Sequence, residues 1–322
     1  MTPILKIKDL KKHYPVKKGL FGARSTAKSL DGVSLEINKG ETFAIVGESG
    51  SGKTTLGKTL LRLIEPTSGS IFFEGTDITH LGAEPMRQLK TDMQIVFQDP
   101  YGSLDPKWTI GRTLEEPLRT HFSLTDSEVA EKVSRILEVV GLTPRHALRY
   151  PHELSGGQRQ RVGIARALIL EPKFVVFDEP VSALDVSIQA QVLTLLQDLQ
   201  KRLSLTYLFI SHDLSVVRYI SDRVGVMYLG KMMEVGPTEA LFSEPLHPYT
   251  QALISAIPQP DPEQRRERIV LEGEVPSPRN PPSGCVFHTR CPHVMPQCLT
   301  IVPELQRISE GRYTACHLYN NK

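Results

Sequence analysis

The chain has almost no net charge, no long apolar run and no cysteine in its first 284 residues. Its 38 basic and 36 acidic residues leave a formal charge of +2, which argues against nucleic-acid binding driven by bulk electrostatics. No window approaches the roughly eighteen uncharged apolar residues of a membrane span, and the N-terminal residues lack an apolar signal region. We therefore expect a cytosolic protein that reaches a membrane only through partners.

One glycine-rich stretch fits a phosphate-binding pattern at every fixed position. Residues 47–54, GESGSGKT, match G-x-x-x-x-G-K-[ST], with an apolar run at 42–46 before them and a helical pattern after them. This context predicts a Walker A loop, whose backbone N–H groups face a phosphate chain at a helix N-terminus. Lys53 would reach the β- and γ-phosphates, and the Thr54 hydroxyl would bind Mg²⁺.

Polar side chains end three further apolar runs. The run at 174–177 ends on Asp178 and Glu179, as expected of a buried parallel strand that delivers carboxylates to a ligand-binding sheet edge. We interpret it as a Walker B strand. A run at 94–97 ends on Gln98, and another at 207–211 ends on His212.

The remaining patterns predict an α/β fold with a helical insertion. Thr125 and Glu128 form a capping box for a helix that closes at Gly141, and the residues LSGGQ at 154–158 open a basic helix. Glycines at that N-terminus predict a second anion site. Other expected elements are strands at 4–14, ending at Pro15, at 33–37 and at 71–73, a loop at 16–22, a turn at 66–70 and a helix over 192–203.

The Walker A loop, the LSGGQ pentapeptide and the Walker B pair, in that order, resemble the ATP-binding cassette (ABC) family over roughly residues 3–235. The resemblance implies a P-loop NTPase with an antiparallel β subdomain, an α-helical insertion and a small C-terminal extension. It implies a catalytic core at 1–98 and 166–235, a helical signature subdomain at 99–165 and an extension at 236–322, in keeping with a length between one and three domains.

The resemblance also implies roles for individual residues. Glu179 would be the general base, His212 the switch histidine, and Gln98 the Q-loop residue that senses the γ-phosphate. The Mg²⁺ ligands would be Thr54, Gln98 and, through water, Asp178. The nucleotide would be held by Tyr14, Gly47, Glu48, Ser49, Gly50, Ser51, Gly52, Lys53, Thr54, Thr55, Ser155, Gly156, Gly157 and Gln158.

The resemblance implies a stacking role for Tyr14 and a dimer completed by the signature residues. Tyr14 matches the aromatic side chain that stacks on adenine, although a packed strand-end tyrosine is the alternative. The signature residues Ser155–Gln158 would complete the nucleotide site of a facing cassette, so a dimer is implied, with residues 182–185 as the D-loop at its interface. Loss of the γ-phosphate would then release the closed state.

Several stretches resemble the F-type ATPases of the dipeptide/oligopeptide importer branch. They are residues 9–19, 98–104, 246–253 and 276–285. Ser51, Thr54 and Asp105 depart from the usual residues of that branch without removing a required group. The resemblance implies an ATPase that energises peptide uptake at the cytoplasmic face of the inner membrane. Its partners would be a second homologous cassette, two permeases and an extracytoplasmic binding protein.

The sequence was also compared with what other solutes and other kinds of cassette ATPase would predict. The solute could be nickel, a haem-like compound or a cationic peptide, because the branch handles several solutes. A soluble cassette acting on ribosomes or DNA would predict two cassettes or a long coiled coil, and neither is present. A non-hydrolysing cassette would predict a damaged base or switch, yet Glu179 and His212 are in place.

All the cysteines fall in the C-terminal extension, at 285, 291, 298 and 316. Their spacings match neither short zinc knuckles nor a ferredoxin run, so spacing leaves the ligand open. Four thiolates suit a [4Fe–4S] cluster or Zn²⁺, and plain thiols are the third alternative. The resemblance favours the iron–sulfur cluster, in a structural or redox-sensing role. His288, His293 and His317 are nearby alternative ligands.

Overall fold

The structure is a computed structural model that describes residues 3–16, 25–99, 101–258 and 268–319 of the 322. Of the loop predicted at 16–22, all but Val16 lies outside the described residues. The described strands are β1 (Pro3–Val16), β2 (Ser25–Asn38), β3 (Thr42–Val46), β4 (Ser68–Phe73), β5 (Thr76–Asp77), β6 (Met93–Val96), β7 (Phe174–Asp178), β8 (Thr206–Ile210), β9 (Arg223–Tyr228), β10 (Lys231–Pro237), β11 (Gln306–Ser309) and β12 (Arg312–Thr314).

The helices confirm the predicted α/β class. The described α-helices are α1 (Lys53–Leu60), α2 (Ala83–Asp92), α3 (Ile110–His121), α4 (Asp126–Val139), α5 (Gly156–Leu168), α6 (Val186–Leu203), α7 (Leu214–Ile220), α8 (Thr238–Ser243) and α9 (Pro248–Ser255). None of them combines the length and the apolar character that a bilayer span requires.

The chain divides into two compact units. The first contains Asn38–Glu41 and His80–Ile210. Its strands lie in the order β8-β7-β6 and run parallel, and β7 and β8 are buried along their whole length. Such strands have apolar sequences because both faces are covered. Helices α2 to α6 belong to this unit, and α3, α4 and α5 contact one another.

The second unit contains the described residues of Pro3–Ile37, Thr42–Thr79 and Ser211–Lys322. One set of its strands has the order β2-β1-β4-β5, with β1 antiparallel to β4. Another has the order β11-β12-β10-β9-β3, in which β3 runs parallel to β9 and the other pairs are antiparallel. The C-terminal hairpin thus extends the sheet that carries the glycine-rich loop. The three-part division predicted from the resemblance stays a prediction.

Most predicted elements are confirmed, but several boundaries are wrong. The strand predicted at 33–37 begins at Ser25, and the helix predicted at 192–203 begins at Val186. The capping box of Thr125 and Glu128 starts α4, and Ser155 caps α5. β1 does not end at Pro15 but continues through it to Val16. The last pair of β1 with β4 joins Lys11 to Ser68, so the β1–β4 ladder does not need the N–H group that proline lacks. The turn predicted at 66–70 is wrong beyond Thr67, because β4 begins at Ser68.

Candidate functional site

The glycine-rich loop of the second unit follows the buried strand β3 and leads into α1. Gly47 has φ of 150°, and a Cβ there would lie 2.2 Å from the Met227 carbonyl oxygen. Gly52 caps α1 with φ of 104°, and a Cβ there would lie 2.2 Å from the Ser29 carbonyl oxygen. Both positions therefore require glycine for conformation and for space.

The Lys53 side chain hydrogen-bonds to the backbone of its own loop. Its ammonium donates to the carbonyl oxygens of Gly47, at 2.8 Å, and Glu48, at 3.1 Å. The Ser51 carbonyl accepts from the Gly230 N–H at 2.9 Å, which ties the loop to the turn between β9 and β10. No described group hydrogen-bonds the buried Ser51 hydroxyl. The loop thus presents a positive charge and a helix N-terminus at one point, an arrangement suited to phosphate.

His212 and Tyr14 also belong to the second unit. The Ser211 N–H donates to the Ile45 carbonyl at 3.1 Å, so His212 comes to the sheet edge at which the loop begins. Asp213 caps α7 by accepting from the N–H groups of Ser215 and Val216. Tyr14 is half-buried on β1 beneath the Lys12 ammonium, which lies 4.9 Å from the ring centroid.

The predicted carboxylates belong to the first unit. Asp178 ends β7 and is 4% exposed, whereas Glu179 is half-buried with φ of 49°. The Glu179 N–H donates to the Ile210 carbonyl at 3.0 Å, which continues the pairing of β7 with β8. The Gln98 amide donates to the Glu179 carboxylate at 2.9 Å. The structure therefore brings two of the three predicted catalytic side chains into direct contact.

The signature residues form the start of α5 in the same unit. Ser155 accepts from the Gln158 N–H at 3.3 Å, and the Gln158 side chain accepts from the Ser155 N–H at 3.0 Å. A Cβ at Gly157 would lie 2.5 Å from Ile188 Cγ2 on α6, so the helix packs there because the residue is glycine. Ser155 is exposed at the N-terminus of α5, the kind of position that suits an anion, and the second anion site stays a prediction.

The residues after Gln98 contact this signature helix. The Arg159 guanidinium lies 5.4 Å from the Tyr101 ring centroid, and the Arg166 guanidinium donates to the Ser103 carbonyl. Burial lowers the pKa of Arg166. Residues 101 and 103, which lie soon after Gln98 in the chain, therefore contact the signature helix within the first unit.

The C-terminal cysteines lie in one neighbourhood of the second unit. Cys285, Cys298 and Cys316 are buried and Cys291 is half-buried, all as free thiols. Burial is the largest cause that raises the pKa of Cys285 and Cys316 to about 11, and the neighbouring thiols act in the same direction. Across the described residues, however, no three His, Cys, Asp or Glu side chains converge on a point that would hold a metal ion.

Two of the histidines named as alternative ligands are engaged with backbone carbonyls. His288 Nδ1 lies 2.8 Å from the Cys285 carbonyl oxygen, and His317 Nε2 lies 2.9 Å from that of Ile301. The side chains as placed therefore give no support to the predicted [4Fe–4S] cluster.

The extension also contacts the glycine-rich loop, in part through Arg290, which the sequence patterns did not single out. Arg290 binds the Glu48 carboxylate with both terminal nitrogens, at 2.8 and 3.2 Å. The Tyr249 hydroxyl accepts from the Glu48 N–H at 2.9 Å. Arg290 and Glu48 are 242 positions apart, and no local pattern signals a pair at such a separation.

Comparisons with known proteins define the class. The family model described as "ABC transporter" matches residues 30–182. The solved dimer of the ATP-binding cassette MJ0796 in a post-hydrolysis state, bound to ADP and Pi, is 30% identical with a TM-score of 0.65, covering 73% of this chain and 98% of that one. CbiO1 of Clostridium perfringens is also 30% identical, with a TM-score of 0.66 over 76% of this chain and 92% of that one. The chain is an ABC-type cassette with a P-loop NTPase fold.

The extension and the full-length relatives narrow the assignment. The family model described as "Oligopeptide/dipeptide transporter, C-terminal region" matches residues 233–298. The oligopeptide transport ATP-binding protein AppF of Bacillus subtilis is 56% identical over 98% of both chains. A putative peptide import ATP-binding protein of Brucella ovis is also 56% identical over 98% of both. The chain belongs to the ABC transporter family, in the branch that carries this C-terminal region, as the resemblance predicted.

Proposed function

We propose that this chain is the ATP-hydrolysing subunit of an ABC importer that takes up di- and oligopeptides. The observation that carries the proposal is the joint match to an ABC transporter region and an oligopeptide/dipeptide transporter C-terminal region in one chain. Relatives described as oligopeptide transport or peptide import ATP-binding proteins match it over nearly its full length. Nickel and cationic peptides are the alternative solutes of the same motor.

The P-loop would hold the nucleotide. The amides of residues 47–55 and the Lys53 ammonium would bind the phosphates, and Tyr14 would stack on adenine. The buried Asp178 and the hydroxyl of Thr54 are oxygen donors of the kind that Mg²⁺ prefers, with Gln98 as a further ligand. When bound, Mg²⁺ would neutralise charge that develops on the phosphates.

Glu179 would act as the general base that takes a proton from the attacking water. Its contact with the Gln98 amide holds the carboxylate in one orientation, which a base needs in order to meet its substrate. His212 would contact the γ-phosphate and the water from the sheet edge beside the P-loop. The signature residues 155–158 would complete the site of a facing cassette.

The proposed partners follow from this arrangement. They are a second homologous cassette, two membrane-spanning permeases and an extracytoplasmic peptide-binding protein, with the chain bound at the cytoplasmic face of the membrane. Residues 98–108 would contact the permeases, since their exposed Tyr101 and half-exposed Trp108 stand beside the signature helix and α3.

The test is co-purification of the tagged chain from detergent-solubilised membranes, with mass spectrometry of the recovered proteins. We expect a second cassette and two multi-spanning permeases. Recovery of ribosomal or DNA-repair proteins in their place would contradict the importer and leave the ATPase assignment standing.

A [4Fe–4S] cluster on the four cysteines is a separate proposal, with Zn²⁺ as its alternative. Its support is the shared neighbourhood of four thiols, a donor set suited to either group. We expect protein purified without oxygen to absorb broadly at about 400 nm, as thiolate-bound iron–sulfur clusters do. Metal analysis that finds zinc alone, or no metal, would refute the cluster.

A further inference from the structure

The P-loop contains a carboxylate where an anion is expected to bind. Glu48 is the second residue of the loop, and its side chain is 26% exposed. A carboxylate close to a triphosphate opposes its binding, and does so more strongly where the local dielectric is low. A neighbouring group must therefore compensate this charge if the loop is to bind ATP well.

Arg290 of the C-terminal extension is that group. It binds both carboxylate oxygens of Glu48, and its side chain is 8% exposed. The same guanidinium donates to the Tyr228 hydroxyl at 3.4 Å, and pairing with Glu48 raises the pKa of Arg290. A two-pronged pair fixes the carboxylate in direction as well as in charge.

Tyr249 holds the backbone of the same residue. Its hydroxyl accepts from the Glu48 N–H, and the tyrosine itself is fully buried. Its ring packs against Tyr228 at 4.8 Å and Phe287 at 5.3 Å between centroids. Both the side chain and the N–H of Glu48 are thus bound by residues that follow the β10 strand.

The position of Arg290 depends on the cysteine-containing segment. A single helical turn, His288–Arg290, lies between Cys285 and Cys291. The Arg290 N–H donates to the Phe287 carbonyl at 3.0 Å, and the Cys285 N–H donates to the Cys298 carbonyl at 2.9 Å. A change in the fold of this segment would therefore move the guanidinium that binds Glu48.

We propose that Arg290 and Tyr249 are positioning residues for the P-loop, through which the C-terminal extension sets the loop's affinity for a triphosphate. Arg290 neutralises and orients the Glu48 carboxylate, and Tyr249 fixes the Glu48 backbone. The proposal rests on the assignment of residues 47–54 to nucleotide binding made above. The extension would thus adjust nucleotide affinity in the ATPase cycle, a role that none of the cassette motifs indicates.

The experiment is a titration of the full-length chain with MgATP by calorimetry, combined with steady-state ATPase kinetics. The variants are Arg290→Gln, Glu48→Gln and the two together. Arg218→Gln is the matched control, because it removes a guanidinium from an exposed ion pair with Glu239 in the same unit. Lys53→Ala reports on the P-loop assignment itself.

We expect Arg290→Gln to raise the Kd for MgATP by roughly tenfold while kcat changes less than about twofold. Glu48→Gln should bind at least as tightly as the wild type, and the double variant should return to within about threefold of it, since the uncompensated charge is gone. Tyr249→Phe should weaken binding by about threefold, and Arg218→Gln should leave it unchanged.

Two results would overturn the inference. One is an Arg290→Gln protein that binds MgATP as tightly as the wild type. The other is a double variant as weak as Arg290→Gln alone, which would trace the loss to disrupted structure. If Lys53→Ala binds like the wild type, the P-loop assignment fails first, and that outcome is distinct from the other two.

Discussion

Glu179 adopts a left-handed backbone conformation directly after a buried strand. Its φ of 49° is uncommon for a residue with a side chain and is tolerated where the surrounding structure fixes it. Here the N–H is bound by Ile210, and the carbonyl accepts from the Ser182 N–H and hydroxyl. The backbone is thus held on both sides, which directs the carboxylate to the Gln98 amide.

Removal of this carboxylate tests the proposed base. We expect Glu179→Gln to retain ATP binding and to lower the rate of hydrolysis by roughly a hundredfold or more, because an amide cannot accept the proton. Phosphate release at saturating MgATP measures the effect. Glu138→Gln, which removes an exposed carboxylate from α4 of the same unit, is the control and should leave the rate unchanged. A Glu179→Gln protein that hydrolyses ATP at the wild-type rate would refute the role.

Two glycines of α5 should respond oppositely to alanine. A Cβ at Gly157 would lie 2.5 Å from Ile188 Cγ2, whose β-branched side chain has little rotamer freedom on a helix. We expect Gly157→Ala to lower the stability of the fold by ~1–3 kcal/mol. A Cβ at Gly163 would meet no described atom within 4 Å apart from its chain neighbours and the backbone of its own helix, so Gly163→Ala should raise stability by up to ~1 kcal/mol. Thermal unfolding measures both, and equal shifts would contradict the packing.

At the scale of elements, α9 begins at a histidine that must be neutral. His247 Nδ1 accepts from the Tyr249 N–H at 3.0 Å, and complete burial lowers the pKa of His247 to about 3 from 6.5. The unfolded chain therefore binds a proton below pH 6.5 that the folded chain refuses down to about pH 3. Stability contributed by this residue is lost as the pH falls through that window.

The pH dependence can be isolated with a variant that keeps the cap. His247→Asn retains an N-cap acceptor but cannot titrate. We expect urea unfolding between pH 6.5 and pH 5 to show a loss of stability in the wild type that approaches about 1.4 kcal/mol per pH unit toward pH 5 and is absent from the variant. The effect of His247 is the pH dependence of the wild-type unfolding free energy minus that of the variant. This subtraction is needed because burial raises the pKa of the adjacent Glu234, whose protonation stabilises the fold as the pH falls. If the unfolding free energies of the wild type and the variant changed with pH in parallel, His247 would not be held neutral in the folded chain.

The elements that sequence could predict are those with a strong local signal. The capping box at Thr125 and the buried runs of β3, β7 and β8 are local patterns, and each lies where it was predicted. The turn predicted at 66–70 failed because Gly69, with φ of 94°, sits within a strand opposite a break in the β1 register. A glycine with positive φ occurs both in turns and in strands opposite a bulge, and tertiary pairing decides between them.

At the scale of the whole molecule, the family and the motor were predictable while the contact between extension and P-loop was not. The Walker and signature motifs are contiguous stretches, so their order along the chain is enough to identify the family. The ion pair of Arg290 with Glu48 joins distant positions and depends on how the chain packs. The same holds for Gln98 with Glu179, which are 81 positions apart.

The central claim is that ATP hydrolysis by this chain drives peptide uptake, and transport itself tests it most directly. The measurement is accumulation of a radiolabelled tripeptide by cells that carry the chain with its co-purifying partners, with Glu179→Gln and Glu138→Gln compared in the same background. We predict uptake with the wild type and Glu138→Gln, and none above the empty-vector rate with Glu179→Gln. Uptake at the wild-type rate by Glu179→Gln, or none by the wild type, would contradict the account.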